Sequence, residues 1–243
     1  MAFWGSHYRH VVLAVGFICL SSVCSNYIVI NFTFICMKND FTDAVLVNNT
    51  EKSIYDYTSN EKKAIMWAVA AGTMIGTIPV NILYVRVGAR IPFLLAGVLS
   101  AISTVLIPMA AQKGMIYLLV LRFLQGVAYS ADFAAIGLMT VRWAPLKETA
   151  VFIAILTSFT TLSSTATNAL TGLICESSLG WKWAYYLHSG VCIVMFTLWG
   201  IVYVDDPESH KRVSQKEIAK IRKNKSAAEL DKNNKVPYFV SFP

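Results

Sequence analysis

Six apolar runs dominate the sequence, and each is long enough to cross a lipid bilayer. They cover residues 11–37, 64–85, 91–111, 114–141, 149–175 and 181–204. A helix of about 20 apolar residues spans the hydrocarbon core of a bilayer. Only 14% of the residues are charged, whereas a soluble domain has about 25%. The sequence therefore predicts an all-α integral membrane protein with six transmembrane helices, and a soluble helical core is the less favoured alternative.

The positive charges between the runs predict which side of the membrane each loop faces. With the amino terminus in the cytosol, fourteen Lys and Arg residues fall on the cytosolic side and six on the other. Cytoplasmic loops of membrane proteins are enriched in these residues. We therefore predict two cytosolic termini, a bundle over residues 1–204 and a cytosolic linker over 205–243. The net charge of +7 is then mainly a topology signal, and nucleic acid is not an expected partner.

The start of the chain and its cysteines give two further expectations. The first apolar run is too long for the core of a cleavable signal peptide, so we expect a retained anchor. The five cysteines form no C-x-x-C pair and no metal-ligand spacing. Most are predicted to be packing residues. Cys36 and Cys175 both fall near the outer face, and the sequence does not decide whether they form a disulfide.

The loop over residues 38–63 is predicted to lie outside the cytosol. Asn48-Asn49-Thr50 in this loop is an N-glycosylation sequon, and we predict that Asn48 carries the glycan. At the end of the loop, Thr58 and Glu61 have the spacing of a capping box that begins the second helix. In that helix Ala68, Gly72 and Gly76 recur every four residues, a pattern that allows close helix packing.

The fifth run is unusually rich in hydroxyl groups. Ten of the fifteen residues over 157–171 are Ser, Thr or Asn. The pattern predicts an inward polar face that includes Thr161 and Asn168, lining a wet cavity, with packing by hydroxyl groups as the alternative. The apolar residues are predicted to form an opposite, lipid-facing stripe, which comprises Phe152, Leu156, Phe159, Leu162, Ala169 and Leu173.

Arg122 lies inside the fourth run, where an unpaired guanidinium is costly. Gly126, Tyr129 and Phe133 follow on nearly the same side of the helix. A guanidinium matches the geometry of a carboxylate or phosphate, so we favour an anionic substrate as its partner. The alternative is a protein carboxylate, but Asp132 lies about 15 Å along the helix and too far around it for a direct pair.

Other polar residues within the runs indicate a functional role less strongly than Arg122 does. Asp132 either pairs with another helix or carries a proton. His188 is predicted to be a hydrogen-bonded packing residue. Asn26, Tyr27 and Asn31 in the first run either line the same cavity as the fifth helix or bond to neighbouring helices.

The common sequence motifs of enzyme active sites are missing from the sequence. It contains no G-x-S-x-G, no H-E-x-x-H and no P-loop. We therefore expect no enzyme activity, no cofactor and no metal site.

After the last run, Ser214 and Glu217 have capping-box spacing and begin a short basic helix with Ile218 and Ile221 on one side. We predict a solvated or membrane-skimming tail for this segment.

Several motifs along the sequence occur together in one known family. The turn Arg86-Val87-Gly88-Ala89-Arg90 resembles the loop G-x-x-x-D-R-x-G-R-R of the major facilitator superfamily, although Val85 stands in place of the acid. Further matches are Arg122-x-x-Gln125-Gly126, Trp143-Ala144-Pro145-x-x-Glu148, Gly180-Trp181 and Asp205-Asp206-Pro207. Together these motifs resemble the anion:cation symporter family of that superfamily, and the likeness covers nearly the whole chain.

The resemblance implies the N-terminal half of a major facilitator fold, a 3+3 inverted repeat, with substrate held between two such halves. It implies that Arg122 handles an anionic substrate and that Arg86, Gly88 and Arg90 form a conformational loop. Met66 and Tyr129 replace the His and the acid of some members, so proton coupling of the vesicular kind is not implied. Residues 236–238 resemble the segment before a seventh helix, and we expect a truncated form of a longer transporter.

The sequence thus predicts a multi-pass transporter of organic anions or phosphate, coupled to sodium or protons, in the plasma membrane or a lysosomal or vesicular membrane. The alternative is a non-transporting six-helix protein that pairs with or regulates a full-length relative. The residues predicted to bind substrate are Arg122, Tyr129, Asn31, Asn168 and Thr161.

Overall fold

The backbone in a bilayer finds no hydrogen-bond partner in lipid, so each apolar run must satisfy its own N–H and C=O groups as a helix. The computed structural model describes residues 7–42, 45–47, 50–223 and 225. The elements are α1 (Tyr8–Lys38), β1 (Val45–Val47), β2 (Thr50–Lys52), α2 (Ser59–Val87), α3 (Arg90–Lys113), α4 (Met115–Trp143), α5 (Thr149–Thr157), α6 (Phe159–Glu176), α7 (Trp181–Val202) and α8 (Gln215–Arg222). Six segments are long and apolar enough to cross a membrane, namely α1, α2, α3, α4, α7 and the segment Leu146–Glu176 that contains α5 and α6.

The predicted all-α class and the six spans are confirmed. Within the described residues, the only strands are β1 and β2, which pair as a short antiparallel hairpin between α1 and α2. The predicted glycosylation residue, Asn48, lies outside the described residues. We call the end of the bundle that carries this hairpin the hairpin end, and the opposite end the α8 end.

The fifth span is interrupted at Ser158, between α5 and α6, where the sequence predicted one continuous helix. The hydroxyl of Thr157 donates to the carbonyl oxygen of Ile153 at 2.7 Å, and that of Ser158 donates to the carbonyl oxygen of Ile155 at 2.8 Å. Hydroxyl groups that bond back to the preceding turn tend to bend a helix. Two adjacent groups of this kind therefore account for the interruption.

α2 and α4 pack closely because glycines of each helix meet the backbone of the other. A Cβ atom on Gly72 would collide with the carbonyl of Phe123, and one on Gly126 would collide with the carbonyl of Val69. The hydroxyl of Thr73 also donates to the carbonyl oxygen of Gly126 at 3.1 Å. The close packing predicted from the small residues of α2 is confirmed, and small residues permit it because they let the two backbones approach.

The hairpin end is tied together by a disulfide and by a carboxylate. Cys36 and Cys175 are bonded, with their Cα atoms 6.0 Å apart, so the bridge that the sequence left open joins α1 to α6. The indole N–H of Trp181 donates to Asp40 at 2.8 Å. Thr58 and Glu61 form the predicted capping box at the start of α2. These contacts hold the ends of α1, α2, α6 and α7.

At the α8 end the chain after α7 folds back onto the start of α1. The carboxylate of Glu217 accepts hydrogen bonds from the main-chain N–H groups of Tyr8 and Arg9 at 3.1 and 3.0 Å. It also pairs with the Arg9 guanidinium at 3.3 Å. Because Glu217 satisfies free N–H groups of α1, it does not complete the capping box predicted with Ser214, whose own hydroxyl still caps α8.

The prediction of a solvated or membrane-skimming tail is therefore wrong for the described part of this segment. Ile218 and Ile221 of α8 are buried against the bundle. The error has a physical cause, since a basic helix with one apolar side can bury that side against lipid or against protein. The ion pair between Glu217 and Arg9 directs α8 to the protein.

The glycine contacts of α4 lead to a stability prediction. Gly126→Ala places a methyl group against the α2 backbone, whereas Gly137→Ala in the same helix meets no atom within 4 Å. We expect Gly126→Ala to destabilise the protein by about 1–3 kcal/mol, the usual cost of overpacking. Thermal unfolding in detergent, followed by size-exclusion chromatography, measures the effect. Gly137→Ala is the control, and equal unfolding midpoints for the two variants would contradict the close α2–α4 packing.

The carboxylate of Asp40 predicts an acid-sensitive contact at the hairpin end. Burial alone raises the pKa of Asp40, but hydrogen bonds from Thr42 and from the Trp181 indole outweigh burial and lower that pKa below its usual range. The unfolded chain therefore binds a proton at Asp40 more tightly than the folded chain does. The stability that Asp40 contributes is present above about pH 4 and is lost as the pH falls through the lowered pKa.

We accordingly expect the thermal unfolding midpoint of the natural protein to fall faster below about pH 4 than that of Asp40→Asn, which does not titrate. Differential scanning fluorimetry across this pH range measures both. Parallel curves would show that Asp40 does not contribute in this way.

Candidate functional site

Arg122 lies deep in the bundle, on the part of α4 nearer the hairpin end, and only 1% of its surface is exposed. Its Nη1 atom donates to the carbonyl oxygen of Tyr27 on α1 at 2.8 Å and to Oε1 of Gln125 at 2.7 Å. Its Nε atom donates to the carbonyl oxygen of Ile65 on α2 at 3.4 Å. One guanidinium thus joins three helices, and none of these bonds uses its remaining nitrogen, Nη2.

Gln125 extends this network to α3. Its Nε2 atom donates to the carbonyl oxygen of Asn26 at 3.0 Å and to the hydroxyl of Thr104 at 2.7 Å. The amide of Asn26 then donates to the hydroxyl of Ser100 at 2.9 Å. In the sequence, Gln125 stands out only as part of the motif Arg122-x-x-Gln125-Gly126. Its spacing of three residues from Arg122 puts both side chains on one side of the helix and is the signal that identifies it.

In the part of the chain that the structure describes, no carboxylate pairs with the charge of Arg122. Among the described residues, all its hydrogen bonds go to uncharged oxygens, and it forms no ion pair. The prediction that Asp132 lies too far away for a direct pair agrees with this arrangement. A buried cation without a counter-charge favours the approach of an anion.

Tyr27 connects Arg122 to the predicted site residue Tyr129. The Tyr27 ring lies 4.6 Å from the Tyr129 ring between centroids, and the Tyr27 carbonyl oxygen is the one that binds Arg122. Tyr129 also contacts Phe133, at a centroid distance of 5.7 Å. Gly126, predicted to lie beside a cavity-facing arginine, instead packs against α2. Aromatic rings therefore border the site on the side towards the α8 end.

The other predicted substrate-binding residues do not join Arg122 in the described contacts. Asn31 on α1 and Thr161 on α6 are exposed on the surface of the bundle. Asn168 is partly buried, and its side-chain oxygen has no hydrogen-bond partner among the described residues. Of the three polar residues of the first run, Asn26 bonds to Ser100 on α3 and the Tyr27 carbonyl oxygen bonds to Arg122 on α4, whereas Asn31 makes no such bond within the described residues.

The predicted orientation of the fifth span is wrong for its first half. Phe152, Leu156 and Phe159 were expected to face lipid, but they are buried in the core, while Leu162 and Leu173 are exposed as predicted. Lipid is as apolar as these side chains, so an apolar stripe does not distinguish the protein side of a helix from the lipid side.

The hydroxyl groups of the fifth span are divided between two faces. Ser163, Thr167 and Thr171 are buried, and the Ser163 hydroxyl donates to the carbonyl oxygen of Ser21 on α1 at 3.2 Å. Thr161 and Thr165 are exposed. A cleft of about 180 Å³ between α1, α6 and α7 is lined mostly by apolar groups, including Ile18, Leu170 and Leu187. The Ser163 bond fits the packing alternative, and the cleft beside this face is largely apolar.

Two titratable residues of the spans lie outside the Arg122 network. His188 is buried, and its Nδ1 atom is 2.7 Å from the carbonyl oxygen of Ala184, which agrees with the predicted packing role. Asp132 is fully buried, and neither of its carboxyl oxygens has a hydrogen-bond partner among the described residues. The predicted pairing of Asp132 with another helix is therefore not found there.

The loop that resembles the superfamily motif is bound by a carboxylate from the end of α7. Gly88 has φ +90°, a backbone conformation that favours glycine. Asp205 accepts hydrogen bonds from the N–H groups of Ala89 and Arg90 at 2.6 and 3.3 Å. Arg90 itself donates to the carbonyl oxygen of Gly200 at 2.6 Å, whereas Arg86 is exposed. The loop is therefore fixed to the end of the sixth span.

Comparison with known proteins agrees with this architecture. The sequence profile of the Major Facilitator Superfamily matches residues 14–240. The chain is 30% identical to sialin of Homo sapiens over 75% of this chain and 36% of sialin. It is 29% identical to the probable small intestine urate exporter of Mus musculus over 69% of this chain and 34% of that protein. It is 26% identical to sodium-dependent phosphate transport protein 1 of Oryctolagus cuniculus, over 86% and 44% respectively.

The fold thus defines a multi-pass membrane protein with six spans. The chain belongs to the Major Facilitator Superfamily, which confirms the resemblance seen in the motifs. It spans less than half the length of these curated relatives.

The network around Arg122 predicts a stability effect of Gln125. Gln125→Leu keeps a similar volume but removes the acceptor for Arg122 and the donor to Asn26 and Thr104. Buried groups left without partners cost about 1–3 kcal/mol. We expect a lower thermal unfolding midpoint for Gln125→Leu than for Thr161→Val, an exposed control outside the network. Equal midpoints would show that the network does not stabilise the bundle.

Proposed function

We propose that this chain provides the substrate-binding half of a secondary transporter for small anions, either organic anions or phosphate, driven by sodium ions or protons. The observation that carries the proposal is the buried guanidinium of Arg122, whose partners among the described residues are all uncharged. An anion would compensate this charge where water is excluded. The relatives named for urate export and phosphate transport support an anionic substrate.

The hydrogen bonds of Arg122 suggest how an anion would enter the site. Nη1 is held by two carbonyl oxygens, from Tyr27 and Gln125. Carboxylate and phosphate oxygens accept stronger, charge-assisted hydrogen bonds than carbonyl oxygens do. An anion would therefore replace these partners when α1 moves relative to α4. Such movement of helices around a site near the midplane is the basis of alternating access.

A second candidate function is a six-helix partner or regulator of a full-length relative. The exposed side of α2 supports it, because Trp67, Met74 and Ile78 are all large, apolar and at least 70% exposed. This surface suits contact with lipid or with another six-helix unit. The two functions differ in whether the chain moves an anion itself.

The transport function is tested with the purified 243-residue chain in liposomes, using radiolabelled urate and phosphate. We expect uptake by the natural protein, and a loss of roughly tenfold or more for Arg122→Gln, because the charged hydrogen bonds to the anion are lost. Arg122→Lys keeps the charge but not the planar fork of donors, so an intermediate rate is expected. Arg142→Gln removes an arginine outside the network and should leave uptake unchanged.

Full uptake by Arg122→Gln would show that Arg122 does not bind the anion. If the natural chain moves neither anion but co-purifies with a full-length relative and changes its rate, the partner function is the correct one.

A further inference from the structure

Asp132 is the one fully buried acidic side chain described within the spans. None of its surface is exposed, and both carboxyl oxygens lack a hydrogen bond among the described residues. It lies three residues past the middle of α4, so it sits within about 5 Å of the midpoint of that helix. The role of Arg122 described above leaves this group unexplained.

The groups around Asp132 are uncharged at neutral pH. Those within reach of its charge are thiols and phenols, which belong to Cys19 and Cys24 on α1, Tyr84 on α2, Tyr129 on α4 and Cys192 on α7. Two more helices pack against α4. Of these, α5 has no titratable residue, and those of α3, Arg90 and Lys113, stand at its two ends. No Lys, Arg or His of the described chain forms an ion pair with Asp132.

A carboxylate in such surroundings is far less stable than the neutral acid, because burial of an isolated charge is costly. A metal cation would need several oxygen ligands. The neighbours of Asp132 one turn away on α4 are Ala128, Tyr129, Ala135 and Ile136, and three of these are aliphatic. A proton needs only one carboxyl oxygen. The site therefore suits a proton better than a sodium ion.

We propose that Asp132 is the protonation site of this chain and that its proton exchanges with the α8 end. In the step, a carboxylate oxygen of Asp132 takes one proton that a hydronium ion delivers from the α8 end, which leaves a water molecule and a neutral carboxylic acid, and the reverse step returns the proton to water as a hydronium ion. Coupling of this step to anion movement rests on the proposed function. Arg122 stands ten residues away on the same helix, about 15 Å along its axis.

Two buried phenols mark the exchange route. The phenol oxygen of Tyr84 has no hydrogen-bond partner among the described residues, and that of Tyr203 lies close enough to Asp205 and Trp143 to interact with their side chains. Tyr84 lies within electrostatic reach of Asp132, Tyr203 and Asp205, and Asp205 binds the loop at the α8 end. The phenols therefore stand between the buried acid and that end of the bundle.

Infrared difference spectroscopy of the purified 243-residue chain in lipid nanodiscs tests the protonation directly. At pH 7 we expect the C=O stretching band of a protonated carboxylic acid in the natural protein and its loss in Asp132→Asn. Asp132→Glu should restore a shifted band, which also guards against misfolding of the asparagine variant. Glu217→Gln is the matched control, since this buried acid is paired with Arg9 and should not contribute. A band that persists unchanged in Asp132→Asn, or that is lost only in Glu217→Gln, would overturn the proposal.

The exchange route and the coupling have separate readouts. After transfer to D2O, the isotope shift of the Asp132 band should be slower in Tyr84→Phe than in the natural protein, and equal rates would exclude Tyr84 from the route. In liposomes, uptake by the natural chain should respond to an imposed proton gradient, whereas uptake by Asp132→Asn should not. Uptake by both proteins with the same response would refute the coupling role. A lack of any uptake by the natural chain would instead refute the proposed transport function, and the infrared result would stand by itself.

Discussion

The hydrogen bonds of Arg122 to α1 and α2 are the interaction on which the arrangement of the bundle depends. A guanidinium in the bundle interior must have its donors satisfied by protein. Two of its acceptors are main-chain carbonyl oxygens of other helices, from Tyr27 and Ile65. Main-chain acceptors are held by the helix axes themselves, so the bonds relate the axes of α1, α2 and α4 to one another.

The glycines of α2 and α4 make this geometry possible. Gly72 and Gly126 let the two backbones meet, which brings the Ile65 carbonyl oxygen within reach of Arg122. Larger side chains at these positions would separate the helices and remove that bond. Close packing and the buried charge are therefore two parts of one arrangement, and the contacts at the hairpin end and the α8 end restrain α1 at both of its termini.

Two ionisable residues of α4, Arg122 and Asp132, lie in contrasting environments. Arg122 is surrounded by acceptors that an anion could replace, whereas Asp132 is surrounded by groups that offer no counter-charge. Since both belong to one rigid helix, a movement that changes the surroundings of one residue also changes those of the other. This would be the physical basis of the coupling that we propose between an anion at Arg122 and a proton at Asp132, about 15 Å apart along the helix.

The sequence by itself determined the six spans, the helical class, the capping box at Thr58, the face of α2 that packs closely against another helix, and the superfamily. These features follow from local quantities, namely the cost of placing residues in lipid, the satisfaction of nearby backbone groups and the size of side chains along one helix face. Each can be evaluated from a short stretch of chain without knowing its neighbours.

Only the tertiary structure decided which way α5 and α6 face, which atoms satisfy Arg122, that Cys36 bonds Cys175 and that Glu217 caps α1. Phe152 and Leu156 are buried although their pattern suits lipid equally well, because a bilayer provides no polarity difference between lipid and protein interior. The partners of Arg122 are backbone carbonyl oxygens, which every residue has, so no residue type identifies them. Contacts between distant segments depend on the mutual placement of helices, and that placement is a property of the assembled bundle.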